Sequence, residues 1–268
     1  AKVYVDQGKD AEKFLNNDMY YDALSVGKYC EDRDPYLSYI CYKRKNLDDE
    51  LIDVTNRHNL FKYQAKYLVE RQDLGLWDKV LTPENEHRKN IVEQVIHTAL
   101  PETTDPNQIL KTVQAFLNND LPNDLIDLLD KLVSQNPEYS NNPTLQKLLI
   151  QTSIKAAPNR VMDYIRKLND YDPAEIGESC IADELFEEAY EVYTKFDMPV
   201  EAMNVLLKNI KDLTRAKDFA DKAKKPELYK MLGEAQLDEM KVKDAIASLL
   251  KAKDISLRSK VIDAAEQD

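Results

Sequence analysis

Glycine is scarce in this chain, five residues in 268. Loop-rich and β-rich enzymes generally place glycine at turns with positive φ, so its scarcity excludes most of them and favours helices. Cysteine is scarcer still. Cys30, Cys41 and Cys180 are odd in number and lack CxxC spacing, which argues against a disulfide framework or a zinc site and for buried free thiols in a reducing compartment. No apolar run approaches the roughly 20 residues that span a bilayer, and no basic flank followed by a hydrophobic stretch opens the chain. No asparagine begins a glycosylation sequon, because Asn142-Pro143-Thr144 carries the excluded proline. These absences fit the cytosol and a chain that does not insert into membranes.

Catalytic patterns are missing too. There is no GxGxxG, P-loop, nucleophile elbow or kinase signature. His58, His87 and His97 are scattered, with no HExxH and no paired acid in sequence, so neither a metal nor a catalytic role is indicated and no cofactor is implied. Asp48-Asp49-Glu50 and Glu184-Leu185-Phe186-Glu187-Glu188 imitate paired carboxylates, but at helical spacing they read as solvated faces. Lys+Arg 37 against Asp+Glu 49 leaves a net charge of −12, which repels phosphate backbones and makes nucleic acid an unsuitable ligand. One stretch is locally basic: Lys208, Lys211, Arg215, Lys217, Lys222, Lys224, Lys225 and Lys230. Asp212, Asp218, Asp221 and Glu227 interrupt it, so it reads as an exposed mixed face, with an electrostatic contact between copies as the sharper alternative.

What the chain does contain is helical punctuation. Most of its eleven prolines precede a segment with apolar residues at i, i+3, i+4 and i+7, the placement expected in the first turn of a helix. Segments run ten to fifteen residues with shorter links, the rhythm of helix hairpins. Leu185 to Tyr193, Met198 to Leu206 and Lys241 to Leu249 resemble one another, and a small residue (Ala189, Ala202, Ala245) recurs where two helices must approach. Ala216 extends the series, but the spacing is too loose for strict 34-residue periodicity. The last copy belongs to the pattern Tyr229…Leu232-Gly233…Ala245…Leu249…Ala252, which matches the tetratricopeptide template except for Gln236 in place of an aromatic. These residues form the expected hairpin-packing signature. The predicted fold is all-α: a right-handed solenoid of stacked antiparallel, tetratricopeptide-like hairpins, about nine of them at about 30 residues each. Nine of the fifteen tyrosines fall in the first 67 residues; the spacing of Tyr36, Tyr39 and Tyr42 suggests one shared face, read as inter-helix packing in preference to a peptide groove.

Several runs resemble the clathrin heavy-chain family, in the leg between ankle and knee. They are Tyr20-Tyr21-Asp22 with Val26-Gly27-Lys28-Tyr29-Cys30-Glu31 and Arg33-Asp34-Pro35; Tyr67 to Arg71 with Leu76-Trp77; Asp120 to Ile126; Arg160 to Ile165; Glu184 to Ala189; and Gly233 to Leu237. The match is collinear over essentially the whole chain. Tyr229 stands where the family leads one to expect tryptophan, and Ser248-Leu249-Leu250 where it suggests Ser-Tyr-Ile, read as core changes. The resemblance implies a cytosolic coat protein whose legs consist of repeats of about 145 residues, with most of one repeat at 1–157 and part of the next at 158–268. It also implies a function in lateral leg-to-leg packing within the polyhedral coats of endocytosis and trafficking. The partners it implies are other heavy-chain legs, while light chain and adaptors bind outside this segment. By the same analogy, a pH-sensitive leg contact at His58 or His87 is the sharper alternative for those residues. A vacuolar tethering subunit or a tetratricopeptide adaptor is the competing reading. Ala1 to Val5 reads as the inside of a helix and Val261 to Ala265 as the first helix of a hairpin lacking its partner, so the chain is expected to be a piece of a longer solenoid.

A stack of nine hairpins at interaxial distances of 8–10 Å predicts a radius of gyration of about 27 Å, against about 18 Å for a compact domain of this length. Small-angle scattering gives the larger value if the stack is right and the smaller if it is not.

Overall fold

Proline sets where many of the helices begin, because its fixed φ suits the first helical turn and its missing N–H is one that the turn leaves unpaired anyway. In the computed structural model, which describes residues 1–8, 10–17, 20–103, 105–135, 137, 139–253 and 261–262, eight of the eleven prolines are the first residue of a helix. No strand occurs among the described residues. The helices fall into two compact units, Ala1–Ser140 and Asn141–Asp268. The first holds α1 (Lys2–Gln7), α2 (Ala11–Asn17), α3 (Ala23–Cys30), α4 (Pro35–Lys45), α5 (Asp48–Arg57), α6 (Phe61–Arg71), α7 (Leu74–Val80), α8 (Arg88–Gln94), α9 (Pro106–Asn118) and α10 (Pro122–Gln135). The second holds α11 (Pro143–Ala156), α12 (Pro158–Lys167), α13 (Pro173–Ala182), α14 (Phe186–Lys195), α15 (Pro199–Asn204), α16 (Leu213–Ala223), α17 (Pro226–Asp238) and α18 (Val242–Ala252). Two helices continue as π-helical turns, α8 through Val95–Ala99 and α15 through Val205–Ile210. Most helices pack on a chain neighbour, and many pack on the helix two along, as α7 does on α9. The fold is thus the all-α solenoid of helix hairpins. Of the expected terminal helix, Val261 and Ile262 are helical; 263–265 lie outside the described residues.

The links are short because one residue closes a helix and opens the next. The backbone N–H of Leu47, Leu60, Leu121, Leu185, Met198 and Lys241 each donates to the carbonyl five residues back, at 2.8 to 3.2 Å. That is the long bond of the Schellman motif. The carbonyls of the same six residues accept the first bond of the following helix, from Leu51, Gln64, Leu125, Ala189, Ala202 and Ala245, at 2.9 to 3.1 Å. The residue before each has positive φ: Asn46, Asn59, Asp120, Glu184, Asp197 and Met240. In all, eleven non-glycine residues have positive φ among the described residues, whereas Gly8 is the one glycine there that does. Helices do explain the scarcity of glycine, but not because left-handed positions are few. The motif's hydrogen bonds hold ordinary residues in that conformation against a strain of about 1–2 kcal/mol each.

Three glycines serve close approach instead. A Cβ on Gly27 of α3 would stand 2.2 Å from the Tyr42 ring of α4, and one on Gly177 of α13 would stand 2.3 Å from the Tyr193 ring of α14. On Gly233 of α17 it would lie 2.7 Å from Leu249 Cγ of α18. These are the three most extensively packed hairpins. A bare backbone lets the opposing side chain lie flat against the helix, so both become buried.

Two of these hairpins are copies. Tyr21, Asp22, Val26, Gly27 and Cys30 recur as Tyr171, Asp172, Ile176, Gly177 and Cys180. The roles repeat with the letters. Asp22 and Asp172 cap α3 and α13 through side-chain acceptors. The hydroxyls of Tyr21 and Tyr171 donate to the carbonyls of Leu15 and Ile165, at 2.9 and 3.3 Å. A cation from the next helix reaches the same carbonyls: Arg44 to Leu15 at 2.7 Å and Lys195 to Ile165 at 2.7 Å.

Replacing Gly177 with Ala drives a methyl into the Tyr193 ring and should destabilise by about 1–3 kcal/mol. Gly75→Ala, whose Cβ would meet only Asp73 Oδ1 at 3.4 Å, should be neutral or stabilise by about 0.5–1 kcal/mol. Urea denaturation separates the two signs.

Candidate functional site

The expected signature residues occupy helix contacts. Ala189, Ala202, Ala216, Leu232 and Ala245 are fully buried, and Tyr229, Leu249 and Ala252 nearly so. Gly233 is buried on α17. Ala216, Tyr229, Leu232 and Ala252 share one apolar cluster, whereas Ala245 and Leu249 join Leu237 in another, with Val261 packed against it. Gln236, where the template has an aromatic, is buried and accepts from Ser248 Oγ at 2.7 Å, so a polar pair replaces the ring. Leu250, read as a core change, is instead 74% exposed. Next to the buried Leu249, it faces the other side of α18.

Tyr36, Tyr39 and Tyr42 do not share one face. Tyr36 and Tyr39 meet Tyr63 of α6, at ring centroid distances of 4.8 and 5.4 Å. Tyr42 turns to α3, covers Gly27 and donates to Glu31 Oε1 at 2.5 Å. Six residues along a helix are about 120° apart around its axis, which separates Tyr36 from Tyr42. Tyr39 and Tyr42 are buried, so this is packing and not an open groove.

The histidines are apart from one another. His58 Nε2 is buried with no hydrogen-bond partner among the described residues, His87 lies on Phe61 with Nε2 3.5 Å from Glu86, and His97 Nδ1 meets Lys131 Nζ. No group of His, Cys, Asp or Glu suited to a metal occurs among the described residues. All three cysteines are buried and free. Burial pushes the Cys180 thiol up to about 12, which keeps it protonated. No helix among the described residues is long and apolar enough to cross a membrane.

Charge is organised between layers. In the second unit Arg166 pairs with Glu191, Lys155 with Asp183, Arg215 with Glu187 and Lys251 with Asp221, across separations of 25, 28, 28 and 30 residues. Each rung joins a helix to the one that follows in the next layer. Arg215 meets both carboxylate oxygens of Glu187, at 2.6 and 2.8 Å. In the first unit Asp48 accepts from Tyr67 and from Arg71 Nη2 at 3.0 Å, and Asp49 pairs with Lys79. The acid clusters that read as solvated faces therefore lend Asp48, Asp49 and Glu187 to inter-helix pairs. Exposed pairs are worth only about 0–1 kcal/mol each, so these rungs set register more than stability.

The family model described as "Region in Clathrin and VPS" matches residues 1–92 and 100–244. Clathrin heavy chain 2 of Oryza sativa subsp. japonica is 47% identical over 267 residues, covering 100% of this chain and 16% of its own length. The clathrin heavy chain of Dictyostelium discoideum is 46% identical, and clathrin heavy chain 2 of Homo sapiens 44%, over the same shares. The chain therefore spans about 16% of the length of the curated relatives it matches.

Burial alone would raise the Asp48 carboxyl, but hydrogen bonds from Arg71 and Tyr67 outweigh it and hold the group below the usual carboxylate range. A depressed carboxylate contributes stability that is present above its unfolded pKa of about 4 and is lost as pH falls through the folded value. Asp48→Asn should therefore be less stable than the parent at neutral pH and converge with it in strong acid. Urea midpoints measured across that range test the convergence.

Proposed function

The chain belongs to the clathrin heavy-chain family, and from that premise we propose that it is a structural leg segment of a heavy chain, packing laterally against other legs as a strut of a polyhedral coat. The observation that carries this reading is the family match over both units, at 44–47% identity to heavy chains of plant, amoeba and human. The structure supports it in kind. Interlocked hairpins and inter-layer rungs make a surface built from repetition, on which many weak contacts add through multivalency. The segment works by geometry and carries out no chemistry of its own. Its partners are other heavy-chain legs, with light chain and adaptors held elsewhere on the full-length protein. Its place is the cytoplasmic face of coated vesicles and pits. The family-type repeat ends near residue 157, and the next begins at Pro158, first residue of α12.

The relatives named above are all clathrin heavy chains, which favours this reading over a tethering subunit or adaptor. The test is to assemble coats from full-length protein carrying a compact tag in an exposed loop of this segment, and to locate it by electron microscopy. Density along the polyhedral edges is expected. A protein that never enters coats, or a tag at no fixed place on the edges, contradicts the reading.

A further inference from the structure

The hairpin α3–α4 and its copy α13–α14 differ at one buried position. Cys30 follows Gly27 by three residues, as Cys180 follows Gly177. On the second helix of each hairpin, the residue before the covering tyrosine is Cys41 in the first and Val192 in the copy. All four of these side chains are fully buried. The first hairpin thus carries two thiols where the copy carries a thiol and an aliphatic group. The two thiols meet. Cys30 hydrogen-bonds through its S–H to the Cys41 sulfur, across helices held closer than a Cβ on Gly27 would allow. Both are free. That bond, joined by the charge of Arg44 three residues along α4, holds the Cys41 thiol below the usual thiol range in spite of its burial, and the same bond pushes Cys30 up. Arg44 is fixed in place by its 2.7 Å bond to the Leu15 carbonyl and its seat 5.3 Å over the Tyr21 ring. One sulfur is prepared to attack, and the other lies in contact with it.

We propose that Cys30 and Cys41 are a site of reversible oxidation, closed to a disulfide by hydrogen peroxide, which staples α3 to α4. The Cys41 thiolate attacks one peroxide oxygen, the O–O bond breaks, and the departing hydroxide takes up a proton to become water. Cys41 is left as a sulfenic acid. The Cys30 sulfur then attacks the Cys41 sulfur, the S–O bond breaks as the S–S bond forms, and the second hydroxide leaves as water with the Cys30 proton. Two thiols are oxidised and one peroxide is reduced to two waters. Peroxide reaches the buried pair when the hairpin opens locally. A thiol reductant reverses the step by exchange. The staple closes a short loop within one hairpin, so it stiffens a pair of helices already in contact and leaves the rest of the stack unchanged. Cys180, with Val192 in the place of a second thiol, is the control that the chain itself supplies.

The experiment uses full-length protein, reduced, exposed to hydrogen peroxide, alkylated and digested with trypsin. Cleavage after Lys28, Arg33 and Lys43 puts the two thiols on separate peptides, 29–33 and 34–43. Mass spectrometry should find these two peptides joined, at a rate at least about tenfold above the oxidation of Cys180, and dithiothreitol should part them. In Cys30→Ala, which removes the second thiol, dimedone should label a sulfenic acid that accumulates on Cys41. In Cys41→Val, which installs the residue of the copy, Cys30 should become as slow to oxidise as Cys180. Circular dichroism and melting close to the parent show that both variants keep the fold, and the peptide map of the parent decides the matter if either does not. Peptides that never join, joining to other cysteines instead, or oxidation no faster than at Cys180 overturns the proposal.

Discussion

In the three most extensively packed hairpins the closeness of the helices depends on one contact, a glycine backbone lying against a large side chain of the following helix. Gly27 under Tyr42, Gly177 under Tyr193 and Gly233 under Leu249 leave no room for a Cβ. A mid-helix glycine costs about 0.5–1 kcal/mol in backbone entropy, a cost offset when the opposing ring is buried against it. The remaining features follow from that closeness. Tyr42, having covered Gly27, presents its hydroxyl to Glu31, and Glu31 in turn pairs with Arg57 of α5 at 2.8 Å. The lock in one hairpin thus sets the rung that reaches the next.

Two further devices turn locked pairs into a series. Shared Schellman and capping residues keep links to two or three positions, which holds consecutive helices side by side. Ion pairs at separations near 28 residues repeat the layer spacing in the charge pattern. Neither is strong alone.

Much of this was legible in the sequence. The prolines before Asn123 and Asn159 marked helix starts because ring geometry acts locally. Ala189, Ala202 and Ala245 marked helix contacts, since each accepts its position from the capping residue four before it. The heavy-chain resemblance was legible from collinear runs. Other features were not. The tyrosines at 36, 39 and 42 look like one face when counted in threes, and only the accumulated rotation of the helix separates them. Leu250 looked internal because it follows Leu249. The signal overlooked was internal: Tyr-Asp-x-x-x-[Val/Ile]-Gly-x-x-Cys occurs twice, at Tyr21 and at Tyr171, and would have pointed to both glycines.

The central claim is that glycine and ring form one unit, and a double-mutant cycle between Gly177 and Tyr193 tests it directly. With Tyr193→Ala as background, Gly177→Ala should lose its penalty, giving a coupling free energy of about 1–3 kcal/mol. Additive effects of the two substitutions would contradict the account, because they would mean that the ring does not depend on the bare backbone beneath it.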